Sequence, residues 1–304
     1  MAGSRVAGMT LTRRQISDLL VEHGLSPSRA LGQNFVADPN TVRRIARIAA
    51  VGPGDRVVEI GAGLGSLTLA LAETGAAVTA IEIDRYLLPV LRATVQSQGV
   101  RVVDADAMRL DWATVLGPDR LGDDDPTPEV DEPIAAGHTD GGWVLVANLP
   151  YNIATPLIAD LLDGVPAIRR MLVMVQKEVG DRLAASAGDD AYGAVSVKVA
   201  YWAIASVVAK IPASVFIPKP NVDSALVAIE RRPGGPAVDP NVVGAVRLFE
   251  VVRAGFAHRR KMLRGALAGV VAPEAFAAAG VRPQARAEEL GIEAWGRLAA
   301  WPRP

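Results

Sequence analysis

The chain has 304 residues, half of them hydrophobic, which suffices for a sizeable core and about two domains at about 150 residues each. It has no cysteine, no stretch near the ~20 apolar residues of a membrane span and no apolar leader, so we expect a soluble cytoplasmic protein without disulfides. The net charge of −1 is unevenly distributed: residues 119–140 hold eight acids and one arginine, or −7, which leaves +6 elsewhere.

Helices and strands alternate along most of the sequence. The pattern predicts helices over 12–23, 39–50, from 66, over 86–98 and over 155–163. Between them it predicts strands over 56–60, 77–83, 100–103, 143–147 and 171–175. Such alternation predicts an α/β fold with a doubly wound, mostly parallel sheet. Ligands bind at the carboxyl ends of the strands of such sheets.

The C-terminal part has a different pattern. Residues 197–211 and 224–230 are predicted to form a final antiparallel pair, residues 233–240 a linker, and residues 249–267 one helix. We therefore expect an N-terminal helical arm (1–28), a main domain (29–232) and a smaller helical C-terminal domain (233–304). The acidic, Pro- and Gly-rich segment 117–142 is predicted to be a mobile surface insertion.

Glycines at positions 61, 63 and 65 follow a predicted strand. They permit a tight turn and a close approach of a ligand to the backbone. A dinucleotide fingerprint would need glycine at position 66, which is serine, so the spacing suits a nucleoside with an amino-acid tail. An ordinary strand–helix turn is the alternative.

Two acids follow the next two predicted strands. Glu82 can accept hydrogen bonds from a ribose diol, which would select a nucleoside. Asp106 can accept from an adenine amino group while the amide of Ala107 donates to the ring, and Asp104 is a nearby competitor. The alternative for Glu82 is a solvent-facing carboxylate beside a turn.

The apolar strand over 143–147 leads into Asn148-Leu149-Pro150-Tyr151, the most informative segment of the chain. Asn148 offers a carbonyl acceptor, Pro150 fixes the backbone, and Tyr151 offers a face for stacking. Phe216, at the start of the stiff sequence Phe-Ile-Pro-Lys-Pro, can stack from the opposite side. This combination suits a flat, amino-bearing ring such as adenine. The alternative is a strand-to-loop corner whose aromatic rings enter the core.

A basic stretch lies within the predicted helix over 249–267. A phosphate-binding surface and an ordinary solvated helix face both explain it. The residues concerned are Arg253, Arg259, Arg260, Lys261 and Arg264. The three histidines are far apart in sequence, so we expect no metal site.

Together these motifs resemble the ribosomal small-subunit RNA adenine N6,N6-dimethyltransferase family. The resemblance runs in order from about residue 29 to 267, and one such motif is weak evidence whereas eight in order are highly specific. The matching segments are Leu31-Gly32-Gln33-Asn34-Phe35, Val58-Glu59-Ile60-Gly61-Ala62-Gly63, Ile81-Glu82-Ile83-Asp84, Asp106-Ala107, Asn148-Leu149-Pro150-Tyr151, Gln176-Lys177-Glu178-Val179, Phe216-Ile217-Pro218-Lys219-Pro220 with Val222-Asp223-Ser224-Ala225, and Phe256 through Arg259-Arg260-Lys261.

The resemblance implies a class I, Rossmann-like methyltransferase with a seven-stranded sheet. It implies S-adenosylmethionine as cofactor and dimethylation of N6 of two adjacent adenines in a hairpin near the 3′ end of small-subunit (16S) rRNA. The partner would be that rRNA within a pre-assembled ribosomal particle, bound by a monomer with a role in small-subunit biogenesis.

The resemblance also implies roles for individual residues. The target-adenine site would comprise Asn148, Leu149, Pro150, Tyr151 and Phe216. The cofactor site would comprise Gln33, Asn34, Val36, Gly61, Gly63, Glu82, Asp106, Ala107 and Asn148. The sequence departs from the family at Val36, where leucine is usual, and in the acidic segment.

Two other functions remain open at this stage. A large-subunit rRNA adenine methyltransferase of the antibiotic-resistance type would share the sheet and a similar tetrapeptide, although Leu149-Pro150-Tyr151 and the later motifs disfavour it. A ribosome-assembly or nucleic-acid-binding factor with lost chemistry would need neither Asn148 nor Glu82.

Overall fold

The computed structural model describes residues 10–28, 31–117, 141–258 and 260–303. Most of the predicted acidic insertion, and Arg259 of the basic stretch, lie outside these residues. In the described part of the chain, no helix is long and apolar enough to cross a membrane.

Twelve α-helices and nine strands occur in the described ranges. The helices are α1 (Arg13–Glu22), α2 (Pro39–Ala49), α3 (Ser66–Ala72), α4 (Leu88–Val95), α5 (Trp112–Leu116), α6 (Ala154–Gly164), α7 (Lys177–Ala184), α8 (Ala194–Trp202), α9 (Ala245–Ala257), α10 (Leu263–Ala266), α11 (Pro273–Ala278) and α12 (Ile292–Ala300). The strands are β1 (Phe35–Val36), β2 (Arg56–Ile60), β3 (Ala77–Glu82), β4 (Arg101–Asp104), β5 (Trp143–Asn148), β6 (Ile168–Gln176), β7 (Ala203–Ile211), β8 (Phe216–Ile217) and β9 (Ser224–Arg231).

Seven strands form one sheet in the order β4-β3-β2-β5-β6-β9-β7. The pairs β3–β4, β2–β3, β2–β5 and β5–β6 are parallel, which confirms the predicted mostly parallel α/β sheet. The chain moves outward from β2 to β4 on one side and then returns to place β5 on the other side of β2. This reversal creates a switch point between β2 and β5, where the carboxyl ends of the strands leave a crevice.

Local sequence explains the elements around this crevice. In β2, Val57 and Val58 are fully buried, as expected of a central parallel strand. Helix α2 buries Val42, Ile45 and Ala46 on one face, and the Asp38 carboxylate caps it by accepting a hydrogen bond from the Thr41 amide at 3.0 Å.

The described chain contains two compact units. Of the described residues, the first unit comprises those up to 176 and those over 210–226, and the second comprises those over 177–209 and from 227 onward. The boundary therefore differs from the one predicted at residue 233. Residues 177–209 join the second unit because Tyr192, Val197 and Tyr201 are buried in one apolar cluster with Phe249 and with residues near the C-terminus. The predicted N-terminal arm is part of the first unit, because α1 buries Ile16 and Leu20 in a cluster with Phe35 and Leu64.

The strand predicted over 197–211 was wrong in its first six residues. Residues 194–202 form α8, and β7 begins only at Ala203. The alternating valines favour a strand locally, but Val197, Val199 and Tyr201 are buried in a helical conformation. The Ser196 hydroxyl accepts a hydrogen bond from the Gly193 amide at 3.0 Å and fixes the helix start. Tertiary packing therefore overrides β propensity here.

The single helix predicted over 249–267 was also wrong. Helix α9 ends at Ala257, and α10 begins at Leu263. The amides of Leu263 and Arg264 donate to the carbonyls of Ala285 and Pro283, at 2.8 and 3.0 Å, instead of to carbonyls one turn earlier. Long-range backbone hydrogen bonds thus interrupt the helix, a feature that local sequence does not reveal.

Candidate active site

The first compact unit contains a cleft of about 240 Å³ at the carboxyl ends of β2, β3 and β5. Its wall consists of the glycine turn after β2, the end of β3, residues 105–108, the end of β5 and residues 31–36. The cleft therefore lies at the switch point of the sheet and gathers most of the motifs that the sequence singles out.

The glycine turn has a backbone that other residues rarely adopt. Gly61, Gly63 and Gly65 have φ of 72°, 59° and 88°. A Cβ atom at Gly63 would lie 3.0 Å from the Phe35 ring. Glycine is thus required both for the left-handed conformation and for space. The Ser66 hydroxyl that follows is buried at the cleft and has no hydrogen-bond partner in the described structure.

Glu82 fixes the end of β3 against this turn. Its Oε2 accepts a hydrogen bond from the Gly63 amide at 2.7 Å, and its Oε1 accepts from the amides of Ile83 and Asp84 at 3.0 and 2.9 Å. The side chain is 5% exposed. Burial raises the pKa of Glu82, while the three amide hydrogen bonds oppose that rise. Three backbone hydrogen bonds therefore orient the side chain, and Oε2, which accepts one of them, can accept a further hydrogen bond.

Asp106 and Ala107 line the same cleft beyond β4. The Asp106 Oδ1 atom accepts from the Met108 amide at 2.9 Å, and Oδ2 lies 3.7 Å from Nε of Arg109. These contacts orient the carboxylate at the start of a turn. Ala107 is buried and also lines the cleft.

The segment 31–36 closes one side of the cleft. Gln33 uses both ends of its amide within the protein: Oε1 accepts from the Ser28 amide and Nε2 donates to Asp84, each at 2.7 Å. Asn34 donates to the Gly32 carbonyl, and Val36 is buried in β1. Gln33 therefore holds the segment in place, and Asn34 and Val36 also line the cleft.

Asn148, the last residue of β5, has an oriented amide. Its Nδ2 donates to the Asn34 carbonyl at 2.8 Å, which directs Oδ1 away from that bond. In the described structure Oδ1 has no hydrogen bond. The Leu149 amide donates to Met174 at 3.1 Å, and the Pro150 carbonyl accepts from the amides of Ile153 and Ala154. The Pro150 carbonyl already accepts two hydrogen bonds. The Leu149 carbonyl therefore has more capacity to accept a hydrogen bond from a ligand, beside the one that Asn148 Oδ1 can accept.

The two predicted stacking rings differ in accessibility. Tyr151 is half-buried, and its hydroxyl is 2.9 Å from Oγ of Ser224, while burial raises its pKa. Phe216 is only 1% exposed and belongs to β8, which pairs with β1. Of the predicted target-adenine residues, Leu149, Tyr151 and Phe216 are not among the described residues that line the cleft, whereas Asn148 and Pro150 are. The structure therefore does not bring Phe216 to the cleft, and stacking on it would require its surroundings to move.

Glu59 is a cleft residue to which the sequence analysis gave no role. It is 2% exposed, and the Thr68 hydroxyl donates to its Oε2 at 2.6 Å. Burial raises the pKa of Glu59 to about 8, and the neighbouring Glu82 adds to the rise while the Thr68 hydrogen bond opposes it. The sequence offers two signals for Glu59: it lies two residues before the first glycine of the turn, and it belongs to the matching segment over residues 58–63.

The basic stretch lies in the second unit. Arg253 is on α9, Arg260 and Lys261 lie between α9 and α10, and Arg264 is on α10, and all four are exposed. They do not share one helix as predicted. Among the described residues, no group of three or more His, Asp or Glu side chains could hold a metal ion.

Sequence comparison relates the chain to known proteins. The profile of the family described as "Ribosomal RNA adenine dimethylase" matches residues 25–302. The protein named ribosomal RNA small subunit methyltransferase A of Kineococcus radiotolerans is 45% identical over 300 residues, covering 95% of this chain and 91% of the relative. The protein of the same name from Thermobifida fusca is 44% identical, covering 95% of each chain.

Two solved structures are similar over most of the chain. The 23S rRNA methyltransferase ErmE superposes with a TM-score of 0.63 at 26% identity, covering 87% of this chain and 98% of that one. A dimethyladenosine transferase from Plasmodium falciparum superposes with a TM-score of 0.65 at 21% identity, covering 86% of this chain and 94% of that one, which supports the fold.

Proposed function

Because the chain belongs to the ribosomal RNA adenine dimethylase family, we propose that it transfers methyl groups from S-adenosylmethionine to N6 of two adjacent adenines in a hairpin near the 3′ end of small-subunit rRNA. The relatives that are 44–45% identical bear small-subunit methyltransferase names, whereas ErmE, a 23S enzyme, is 26% identical. One observation carries the proposal: an oriented Asn148 carbonyl lies at a cleft lined by acids.

The cleft suits a positively charged nucleoside. Glu59, Glu82 and Asp106 line it, and no Lys, Arg or His is among its described lining residues. S-adenosylmethionine, when bound, supplies an electrophilic methyl group on a sulfonium. Glu82 would accept from its ribose, and Asp106 with the Ala107 amide would bind its adenine. Gly61, Gly63 and the backbone at Gln33, Asn34 and Val36 would admit its tail.

The target adenine would bind at the end of β5. The Asn148 Oδ1 atom and the Leu149 carbonyl would accept the two amine hydrogens and so direct the nitrogen lone pair toward the cofactor cleft. Pro150 keeps this corner rigid, and Tyr151 offers a stacking face. This is catalysis by positioning and electrostatics, and it requires no strong general base.

The base must leave its stack to reach this site, which costs a few kcal/mol. Stacking on Tyr151 would offset part of that cost, at about 1–3 kcal/mol per stacked base. Phe216 would add a second stack only after the movement described above.

The second compact unit would bind rRNA. Arg253, Arg260, Lys261 and Arg264 are exposed cations suited to phosphates, and Arg259, outside the described residues, belongs to the same stretch. The partner is proposed to be rRNA in a pre-assembled small-subunit particle, bound by a monomeric cytoplasmic enzyme that contributes to small-subunit biogenesis.

The proposal is tested with tritiated S-adenosylmethionine. Purified protein is incubated with unmodified small-subunit particles and, separately, with large-subunit rRNA, and the label is mapped to nucleotides. We expect dimethylated adenines near the 3′ end of the small-subunit rRNA. Label in large-subunit rRNA alone would favour the activity suggested by ErmE, and binding without label would favour an assembly factor.

A further inference from the structure

Glu59 is a buried acid at the cleft that the proposed mechanism leaves without a role. It is the penultimate residue of β2 and lines the cleft with a side chain that is 2% exposed. Its one hydrogen bond given by the described structure comes from the Thr68 hydroxyl, at 2.6 Å. A single neutral donor offsets little of the cost of burying a charged carboxylate.

Among the described residues that line the cleft with Glu59, none carries a compensating positive charge. Strand β3 contributes Glu82 and α3 contributes the Thr68 and Ser66 hydroxyls, while β5 contributes the neutral Asn148. Asp84 and Asp106, further along, are also acids. Burial together with Glu82 raises the pKa of Glu59 to about 8, so this side chain holds a proton at neutral pH. Ser66, buried and without a partner, is a second polar group left for a ligand.

We propose that Glu59 responds to the positive charge on the methyl donor, keeping its proton until the sulfonium binds and then releasing it to solvent. The inference rests on the proposed function and assigns to Glu59 a role in binding the methyl donor in preference to the product. Only the carboxyl O–H bond breaks, and the proton passes to the buffer. A cation in the cleft favours the carboxylate, whereas the product, S-adenosylhomocysteine, has a neutral thioether and leaves the acid form favoured.

Proton release is measured by titration calorimetry. Donor and product are each titrated into the protein at pH 7 in two buffers of different ionisation enthalpy, and the buffer dependence of the heat counts the protons. The sulfonium lowers the pKa of the donor's own α-amino group relative to that of the product, so the contribution of the amino-acid tail is taken from the same titrations of the Glu59→Gln variant. We expect close to one proton released with the donor and clearly fewer with the product.

Two variants assign the proton to its source. Glu59→Gln keeps the shape of the side chain and can still accept a hydrogen bond from Thr68. We expect this variant to release no proton beyond the contribution of the amino-acid tail when the donor binds. Its ratio of donor affinity to product affinity should be severalfold lower than that of the wild type. Glu73→Gln removes an exposed acid outside this cleft and should match the wild type. Unchanged proton release in Glu59→Gln, or equal release with donor and product in the wild type, would overturn the proposal.

A second measurement needs no variant. In the wild type, donor affinity should rise with pH by up to about tenfold per unit up to about pH 8 and then level off, while product affinity should rise less. Parallel pH profiles for the two ligands would contradict the role of Glu59. Methylation of small-subunit rRNA by the same preparation tests the proposed function separately, so the two failures are distinguishable.

Discussion

Asn148 is a residue whose chemistry is set by a contact that sequence does not show. Its amide nitrogen is committed to the Asn34 carbonyl, so the oxygen is the atom left for a ligand. An amide that is already oriented pays no reorganisation cost at the moment of reaction. Under the proposed function, the segment 31–36 would therefore affect catalysis by orienting Asn148, although it contributes no reacting group.

The first prediction concerns that amide. We expect Asn148→Ala to lower the methylation rate by about 100-fold or more, because an oriented polar group at a reacting centre is worth about that much. Single-turnover assays with tritiated donor measure the effect, and calorimetry should show the donor still bound. Asn241→Ala, in the second unit, is the control. Near-normal turnover of Asn148→Ala would refute the proposed hydrogen bond from the adenine amine to Asn148.

The second prediction concerns Glu82. Its loss removes the proposed ribose acceptor and also three hydrogen bonds to backbone amides. We expect Glu82→Ala to weaken donor binding more than any other single cleft substitution, by about 10- to 100-fold. Glu82→Gln is the matched variant, since it keeps the size of the side chain. An unchanged dissociation constant in calorimetry would remove Glu82 from the ribose site.

The third prediction links Glu59 to stability. Its pKa is raised from 4.5 to about 8, so the folded protein holds a proton that the unfolded chain releases, and the associated stability is present below pH 4.5 and is lost as pH rises toward 8. We expect Glu59→Gln to reduce this loss by up to about 1.4 kcal/mol per pH unit. Urea unfolding at pH 5, 6, 7 and 8 measures it. Equal slopes for wild type and variant would show that Glu59 is ionised in the folded protein.

At the scale of elements, the glycine turn joins β2 to α3 and determines how closely a ligand can approach. Gly63 and Gly99 have similar backbones, with φ of 59° and 66°, but only Gly63 faces a neighbour, the Phe35 ring. Comparing substitutions at these two glycines therefore separates the cost of a clash with Phe35 from the cost of the left-handed backbone conformation.

The fourth prediction uses this pair. Both Gly63→Ala and Gly99→Ala incur the left-handed cost of about 1 kcal/mol, and Gly63→Ala should cost about 1–3 kcal/mol more because its Cβ overpacks against Phe35. It should also weaken donor binding, which Gly99→Ala should not. Thermal unfolding and calorimetry measure the two effects. Equal destabilisation would mean that Phe35 moves aside freely.

At the scale of the whole molecule, charge is divided along the chain. Residues 119–140 carry −7 and lie outside the described structure, while the described second unit exposes Arg253, Arg260, Lys261 and Arg264. A near-neutral net charge therefore does not argue against an RNA partner, because phosphate responds to local charge.

The fifth prediction concerns those cations. Replacing Arg260 and Lys261 with alanine should weaken binding to small-subunit rRNA and lower the slope of log affinity against log salt by about one per lost phosphate contact. Fluorescence anisotropy across a salt series measures the slope. The double variant Arg14→Ala, Arg92→Ala, two exposed arginines of the first unit, is the control. If both double variants show the same slope of log affinity against log salt, Arg260 and Lys261 do not make the phosphate contacts.

The sequence by itself determined the family, the parallel sheet and the chain positions of the cleft. Periodicity and glycine spacing are local properties, so β2, β3, β5 and the turn at Gly61 were predicted nearly at their observed bounds. The ordered motifs from residue 31 to 261 pointed to adenine methylation, and the family match over residues 25–302 agrees with that assignment.

The tertiary structure alone decided the residues whose state depends on distant neighbours. Residues 194–202 form a helix because a remote apolar cluster buries them, and the basic stretch is interrupted because the carbonyls of Pro283 and Ala285 take its amides. Phe216 is buried in β8, which pairs with the distant β1, and the pKa of Glu59 is raised chiefly because folding buries its side chain. Burial and long-range hydrogen bonding are properties of the assembled chain, so no local pattern could reveal them.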